Sequence, residues 1–90
     1  MTDVARTPIA DLRNLGPRTA ELLEPFGIHT RGELERVGVV MAYRMIRHRW
    51  GSRAINRSGL WALWGALHNV DWRALPDDVK AELIEETADA

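Results

Sequence analysis

The chain has 90 residues, carries 12 Lys or Arg against 13 Asp or Glu for a formal net charge of −1, and has no cysteine. That length makes one small domain, which buries only roughly 60 to 65% of the surface its unfolded chain exposes. The missing cysteine excludes a disulfide framework and a Cys-type zinc site. The near-neutral total argues against a protein built chiefly to neutralise nucleic acid, since that affinity comes from Lys and Arg against phosphates.

The beginning of the chain, MTDVARTPIADL, has neither the apolar region of a signal peptide nor the Arg-rich, acid-free composition of a transit peptide. No apolar run approaches the ~20 residues that span a bilayer. A cytoplasmic protein with no membrane partner is expected. Its charge is segregated: residues 1–35 carry −2, residues 36–70 carry six arginines and no acid, and residues 71–90 carry −5.

Period-2 alternation is missing and apolar residues recur at three and four, so the expected fold is all-α: one compact domain of about five or six short helices. Thr7 and Pro8 read as N-cap and first residue of a short helix holding Ile9 and Leu12 on one side, closed by Asn14, Leu15 and Gly16. Pro17 opens a second helix, with Thr19, Leu22, Leu23 and Phe26 on its core face. Pro25 ends or tightens that helix, and Gly27 can supply a left-handed cap.

Thr30 and Glu33 have the spacing of a capping box, and Gly38 stops or bends the helix they start. From Val39, the residues Val39, Ala42, Tyr43, Ile46 and Trp50 share one side and Arg44, Arg47 and His48 another, which predicts a helix with a basic face. Asn56 or Ser58 can cap the next helix, whose segment GLWALWGAL has no polar side chain and is expected to be buried nearly all round. Asp71 starts a single turn through Trp72 to Leu75. Pro76 begins a final helix with Asp77 and Asp78 in its first turn and Val79, Leu83 and Ile84 inward. The expected organisation is a flexible N-terminus over residues 1–6, a helical domain over 7–87 and a frayed tail over 88–90.

The loop Asn14 to Thr19 invites a functional reading. Backbone N–H groups converge at a helix N-terminus and attract a phosphate oxygen without side-chain charge, and here Arg18 adds a cation and Thr19 a hydroxyl. The same loop also reads as a tight corner in a helical core. LRNLGPRTAELLEPFGI resembles a helix-hairpin-helix motif, which implies that the N-terminal half holds a sugar-phosphate backbone regardless of sequence. Asn14 stands where that motif has its first glycine; asparagine tolerates positive φ better than most residues.

Beyond it, GIHTRGEL, AYR, LWALWGAL and DWRALPDDVKAEL together resemble the C-terminal domain of the TfoX (Sxy) family, bacterial regulators of natural competence, from Asp11 to about Glu85. The resemblance implies a role in gene regulation or DNA transactions. Longer members carry a preceding α/β domain that this sequence lacks, and Trp64 stands where the family pattern has a polar residue, so that an outward-facing tryptophan is expected.

Two site readings follow. In the first, Asn14, Gly16, Arg18, Thr19, Arg44, Arg47 and Arg49 touch DNA backbone weakly and without base reading. If Arg44, Arg47, Arg49, Arg53 and Arg57 all met phosphates, the log–log salt slope would be about −4.5. Alternatively, these arginines form a solvated face neutralised by Asp77, Asp78, Glu82, Glu85 and Glu86 in pairs worth at most about 1 kcal/mol each. In the second site reading, Trp61, Trp64 and His68 form a stripe beside the core stripe of Leu60, Leu63 and Leu67 and meet a protein partner or a second copy.

Catalytic chemistry finds no foothold: Ser52 and Ser58 stand in no nucleophile elbow, and no P-loop or paired-acid constellation occurs. His29, His48 and His68 have no metal-ligand spacing. A non-enzymatic protein with no cofactor, no metal and no small-molecule substrate is expected.

Overall fold

A computed structural model describes residues 3–89 of the chain. Five α-helices are found among them: α1 (Pro17–Leu23), α2 (Arg31–Val37), α3 (Val39–Trp50), α4 (Arg57–His68) and α5 (Asp77–Glu86), with short 3-10 turns at Val4–Arg6, Ile9–Asp11, Glu24–Phe26 and Trp72–Ala74. No strand is present among the described residues; Pro8 and Thr30 form an isolated antiparallel bridge. The fold is all-α, as the period of the apolar residues predicts. The Cα radius of gyration is 12.2 Å, against about 12 Å for one compact unit of this size.

Local chemistry sets most boundaries. Pro17 occupies the first turn of α1, whose N-cap is Gly16. Pro25 tightens the end of that helix into a 3-10 turn, closed by Gly27 in the left-handed region at φ 73°. The capping box at the start of α2 is formed in both directions: the Glu33 N–H donates to Thr30 Oγ1 at 3.3 Å, and Glu33 Oε1 accepts from the Thr30 N–H at 3.1 Å and from the His29 N–H at 2.9 Å. The His29 amide, first among its neighbours, holds the Glu33 carboxyl below its ordinary value of 4.5.

Gly38 joins α2 to α3 at φ 90°, a conformation that any side chain would strain, while its N–H still closes α2 on the Leu34 carbonyl at 2.8 Å. Asn56 caps α4 by accepting from the Gly59 N–H at 3.0 Å. Asp77 and Asp78 lie in the first turn of α5, where the helix dipole favours them.

The core gathers residues from every helix. Ile9, Leu23, Ile28, Leu34, Ile46, Leu60 and Leu63 are its fully buried large side chains, and Leu75 and Leu83 bring in the C-terminal segment. Burying such aliphatic side chains stabilises by about 1.5–3 kcal/mol each.

Some expectations need correction. The first helix is a single 3-10 turn, and Thr7 does not cap it; its carbonyl accepts instead from the Arg31 N–H at 2.9 Å, while Ile9 N–H donates to His29 O at 3.1 Å. The N-terminal segment thus straps the start of α2, satisfying a donor that every helix leaves open. Within the segment read as a flexible end, Asp3 caps a 3-10 turn over Val4–Arg6 that packs on α2; residues 1 and 2 lie outside the described residues. In the tail, Asp89 pairs with Arg44, and Ala90 lies outside the described residues. Trp50, expected on the core face of α3, is 39% exposed. It is the last residue of that helix, before Gly51 turns the chain away, and Phe26 meets it in a T-shaped pair at 5.8 Å between ring centroids.

Candidate nucleic-acid interface

Asn14 is the pivot of the loop that the sequence singles out. It has φ 71°, and both polar atoms of its side chain are engaged across the fold: Nδ2 donates to the Val70 carbonyl at 2.8 Å, and Oδ1 accepts from the Trp72 N–H at 3.2 Å. Its carboxamide therefore locks the corner onto the segment after α4 and is not turned outward to a phosphate. Gly65 lets this happen. A Cβ there would overlap the Val70 carbonyl and the Asn14 amide nitrogen.

The rest of the corner is open. Nothing lies within 4 Å of where a Gly16 Cβ would stand, Pro17 and Arg18 are exposed, and Thr19 is half-buried. Gly16 makes no side-chain cap, and its carbonyl accepts the Ala20 N–H at 3.2 Å.

The arginines divide into two groups. Those engaged within the fold hold carbonyls at helix ends or in a loop, where no intrahelical partner serves them. Arg44 Nη2 donates to the Glu86 carbonyl at 2.7 Å, at the end of α5, and pairs with Asp89. Arg47 Nη1 donates to the Ser52 and Ile55 carbonyls, each at 2.9 Å, closing the loop after α3, and its guanidinium lies 5.2 Å from the Tyr43 ring centroid. Arg31, which sequence reasoning passed over, behaves likewise: Nη2 donates to the Leu67 carbonyl at 2.5 Å and Nη1 pairs with Glu35 at 2.8 Å. Among the described residues, the partner of Arg44 is Asp89 and not one of the five carboxylates of α5 expected to neutralise the basic run.

The second group is exposed and clusters at the open corner. Arg18 shares a concavity with Trp50 and Arg53, in which Glu21 is the one carboxylate. Arg49 lies with its guanidinium 5.4 Å from the Trp50 ring centroid, a cation–π contact that holds a third positive charge against that ring. The structure thus brings Arg18 together with Arg53 beside Trp50, on whose ring Arg49 also lies, whereas Arg44 and Arg47 line a different concavity. Arg53 belongs to the basic run but not to the site read from sequence, and Trp50 was assigned to the core. The signal that could have found both is the glycine after Trp50: a helix that stops there leaves nothing to cover its last side chain.

The aromatic stripe also separates. Trp61 is buried at 9% exposure and is a core residue, which corrects its reading as part of an outer surface. Trp64 is half-buried and stacks on exposed His68 at 3.8 Å between ring centroids. These two rings line a groove with Val40, Met41 and Val79, between α3, α4 and α5.

The fold and this surface define a small helical module with one exposed basic corner and a separate apolar groove. The chain belongs to the TfoX C-terminal domain family, whose model matches residues 5–87. It is similar to an uncharacterised protein of Listeria monocytogenes solved in a triclinic crystal form, with 31% identity over 86% of this chain and 85% of that one and a TM-score of 0.76. A protein of unknown function from Listeria monocytogenes in a tetragonal form is 30% identical, over 88% of this chain and 95% of that one, again with a TM-score of 0.76. No curated protein matches the chain. No helix among the described residues is long and apolar enough to cross a membrane.

Proposed function

We propose that the protein is a non-enzymatic module that holds a nucleic-acid backbone weakly and without reading bases, in the gene regulation or DNA transactions suggested by its family. The observation that carries this is the convergence of Arg18, Arg49 and Arg53 on the exposed Trp50 beside the open Gly16–Arg18 corner. Two guanidinium groups against one carboxylate in the concavity, with Arg49 over the Trp50 ring that helps line it, leave a local positive excess on a chain of net charge −1. Arginine presents its donors as a fork suited to phosphate oxygens. Three phosphate contacts correspond to a log–log salt slope of about −2.7 on duplex and about −2.1 on single strands.

Fluorescence anisotropy with labelled duplex and single-stranded oligonucleotides at low salt tests this reading. Arg18→Ala and Arg53→Ala should each weaken binding and lower the slope by about one phosphate contact. Arg36→Ala, which lies outside the concavity, should leave both unchanged. An absence of binding at low salt, or equal losses from all three variants, overturns the proposal.

A second reading, a protein-interaction or self-association module, is favoured by one feature: Met41 is 51% exposed at the mouth of the groove that holds the Trp64–His68 stack. Sedimentation velocity across a concentration series should then give a mass that rises with concentration and falls for Met41→Glu. A monomer at every concentration removes self-association.

A further inference from the structure

Arg44, Arg47 and His48 lie at i, i+3 and i+4 on α3 and form the basic wall of a pocket of about 510 Å³. Phe26, Met41 and Met45 form its apolar wall. The volume falls in the roughly 300–1,000 Å³ range of small-molecule sites, and methionine side chains adapt to irregular apolar shapes.

The donors of this wall are not matched by the acceptors the fold brings to it. Arg44 is met by the Glu86 carbonyl and the Asp89 carboxylate, and Arg47 by the carbonyls of Ser52 and Ile55. The Nε atoms of both arginines are buried and have no hydrogen-bond partner among the described residues. A buried donor on a cation that lacks an acceptor is costly, and native folds leave few. Asp89 is the sole carboxylate in the lining, against two guanidinium groups. It is also loosely held, with 74% of its side chain exposed, beyond the end of α5.

We propose that this pocket is a binding site for a small amphipathic anion, a carboxylate on an apolar body, and that Asp89 is a tethered carboxylate competing for the same guanidinium. Asp89 shows which functional group the Arg44 fork accepts. The Phe26, Met41 and Met45 wall calls for a hydrophobic body, which a sugar-phosphate chain does not offer. An entering carboxylate displaces Asp89 from Arg44 and sets a negative charge beside the two guanidinium groups, whose buried Nε–H groups lie behind their exposed forks.

Phenylacetate is the probe, followed through the Nε–H signals of Arg44 and Arg47 in 1H–15N spectra of the full chain. It should move both signals saturably, whereas phenylacetamide, neutral and of the same shape, should not, and acetate should bind more weakly than phenylacetate. Arg44→Gln should abolish the saturable shift with the dispersed spectrum of the fold retained. Asp89→Asn, a change on the exposed tail, should tighten binding about twofold to fivefold, the range of a weak exposed ion pair. Three outcomes would each overturn the proposal: phenylacetate leaving both Nε–H signals in place, phenylacetamide moving them equally, or Asp89→Asn leaving the affinity unchanged. If Arg44→Gln does not fold, the Asp89→Asn and phenylacetamide arms still decide.

Discussion

Gly65→Ala should lower the stability of this protein by about 2–3 kcal/mol, against the direction that helix propensity alone would give. Gly65 lies inside α4, where alanine normally gains about 1 kcal/mol over glycine. At this position the new methyl group would overlap the Val70 carbonyl and the Asn14 amide. Neither neighbour retreats easily. Val70 donates its own N–H back to the Gly65 carbonyl at 2.9 Å, and Asn14 is bound to Val70 from the other side. Thermal unfolding should show a midpoint lower by about 10–20 °C for a domain of this size. A midpoint that rises would mean that α4 does not press on this loop.

Asn14→Ala should be comparably damaging, by about 2–4 kcal/mol, for two separable reasons. Removing the carboxamide strands a part-buried carbonyl at Val70, which costs about 1–3 kcal/mol when left unpaired, and hands the exposed Trp72 N–H back to water. Alanine at φ 71° adds a backbone strain of about 1–2 kcal/mol that asparagine bears more readily. Asn14→Gly removes the hydrogen bonds but tolerates the backbone, so urea unfolding should rank wild type above the glycine variant and the glycine variant above the alanine variant. If instead both variants keep full stability and lose oligonucleotide binding, Asn14 is a ligand contact and not a lock.

These two positions show why a loop that resembles a phosphate-binding corner does a different task in part. From the chain alone, Asn14 reads as a turn residue that tolerates positive φ, which it is. The hydrogen-bond partners of its side chain lie 56 and 58 residues away, and no spacing rule reaches that far. Gly65 is similar. Within an apolar helical run it reads as a mild defect, and its purpose depends on a carbonyl delivered by the turn after Asn69.

Helix starts and stops were legible because their causes are local. Pro17, the Thr30–Glu33 pair, Gly38, Asn56 and the Asp77–Asp78 turn each act within a few residues, through φ, a capping oxygen or the helix dipole. The inward stripe of α3 was equally legible at Val39, Ala42, Tyr43 and Ile46, all buried. It failed at Trp50, because periodicity gives the side of a helix but not whether another element arrives to cover it. Trp61 failed the other way: α4 is surrounded closely enough there to bury it, while Trp64 is half-buried and His68 exposed on the same stripe.

By itself, then, the sequence determined an all-helical chain, the places where its helices begin and end, and the family to which it belongs, because these rest on short-range backbone chemistry and on residue patterns that survive in one dimension. Only the tertiary structure decided which arginines meet acceptors of the fold and which stand free of them. Arg31, Arg44 and Arg47 differ from Arg18, Arg49 and Arg53 in no property of the residue itself. They differ in whether packing brings helix-end or loop carbonyls, or a carboxylate, within reach of the guanidinium, and that proximity is created only when the chain folds.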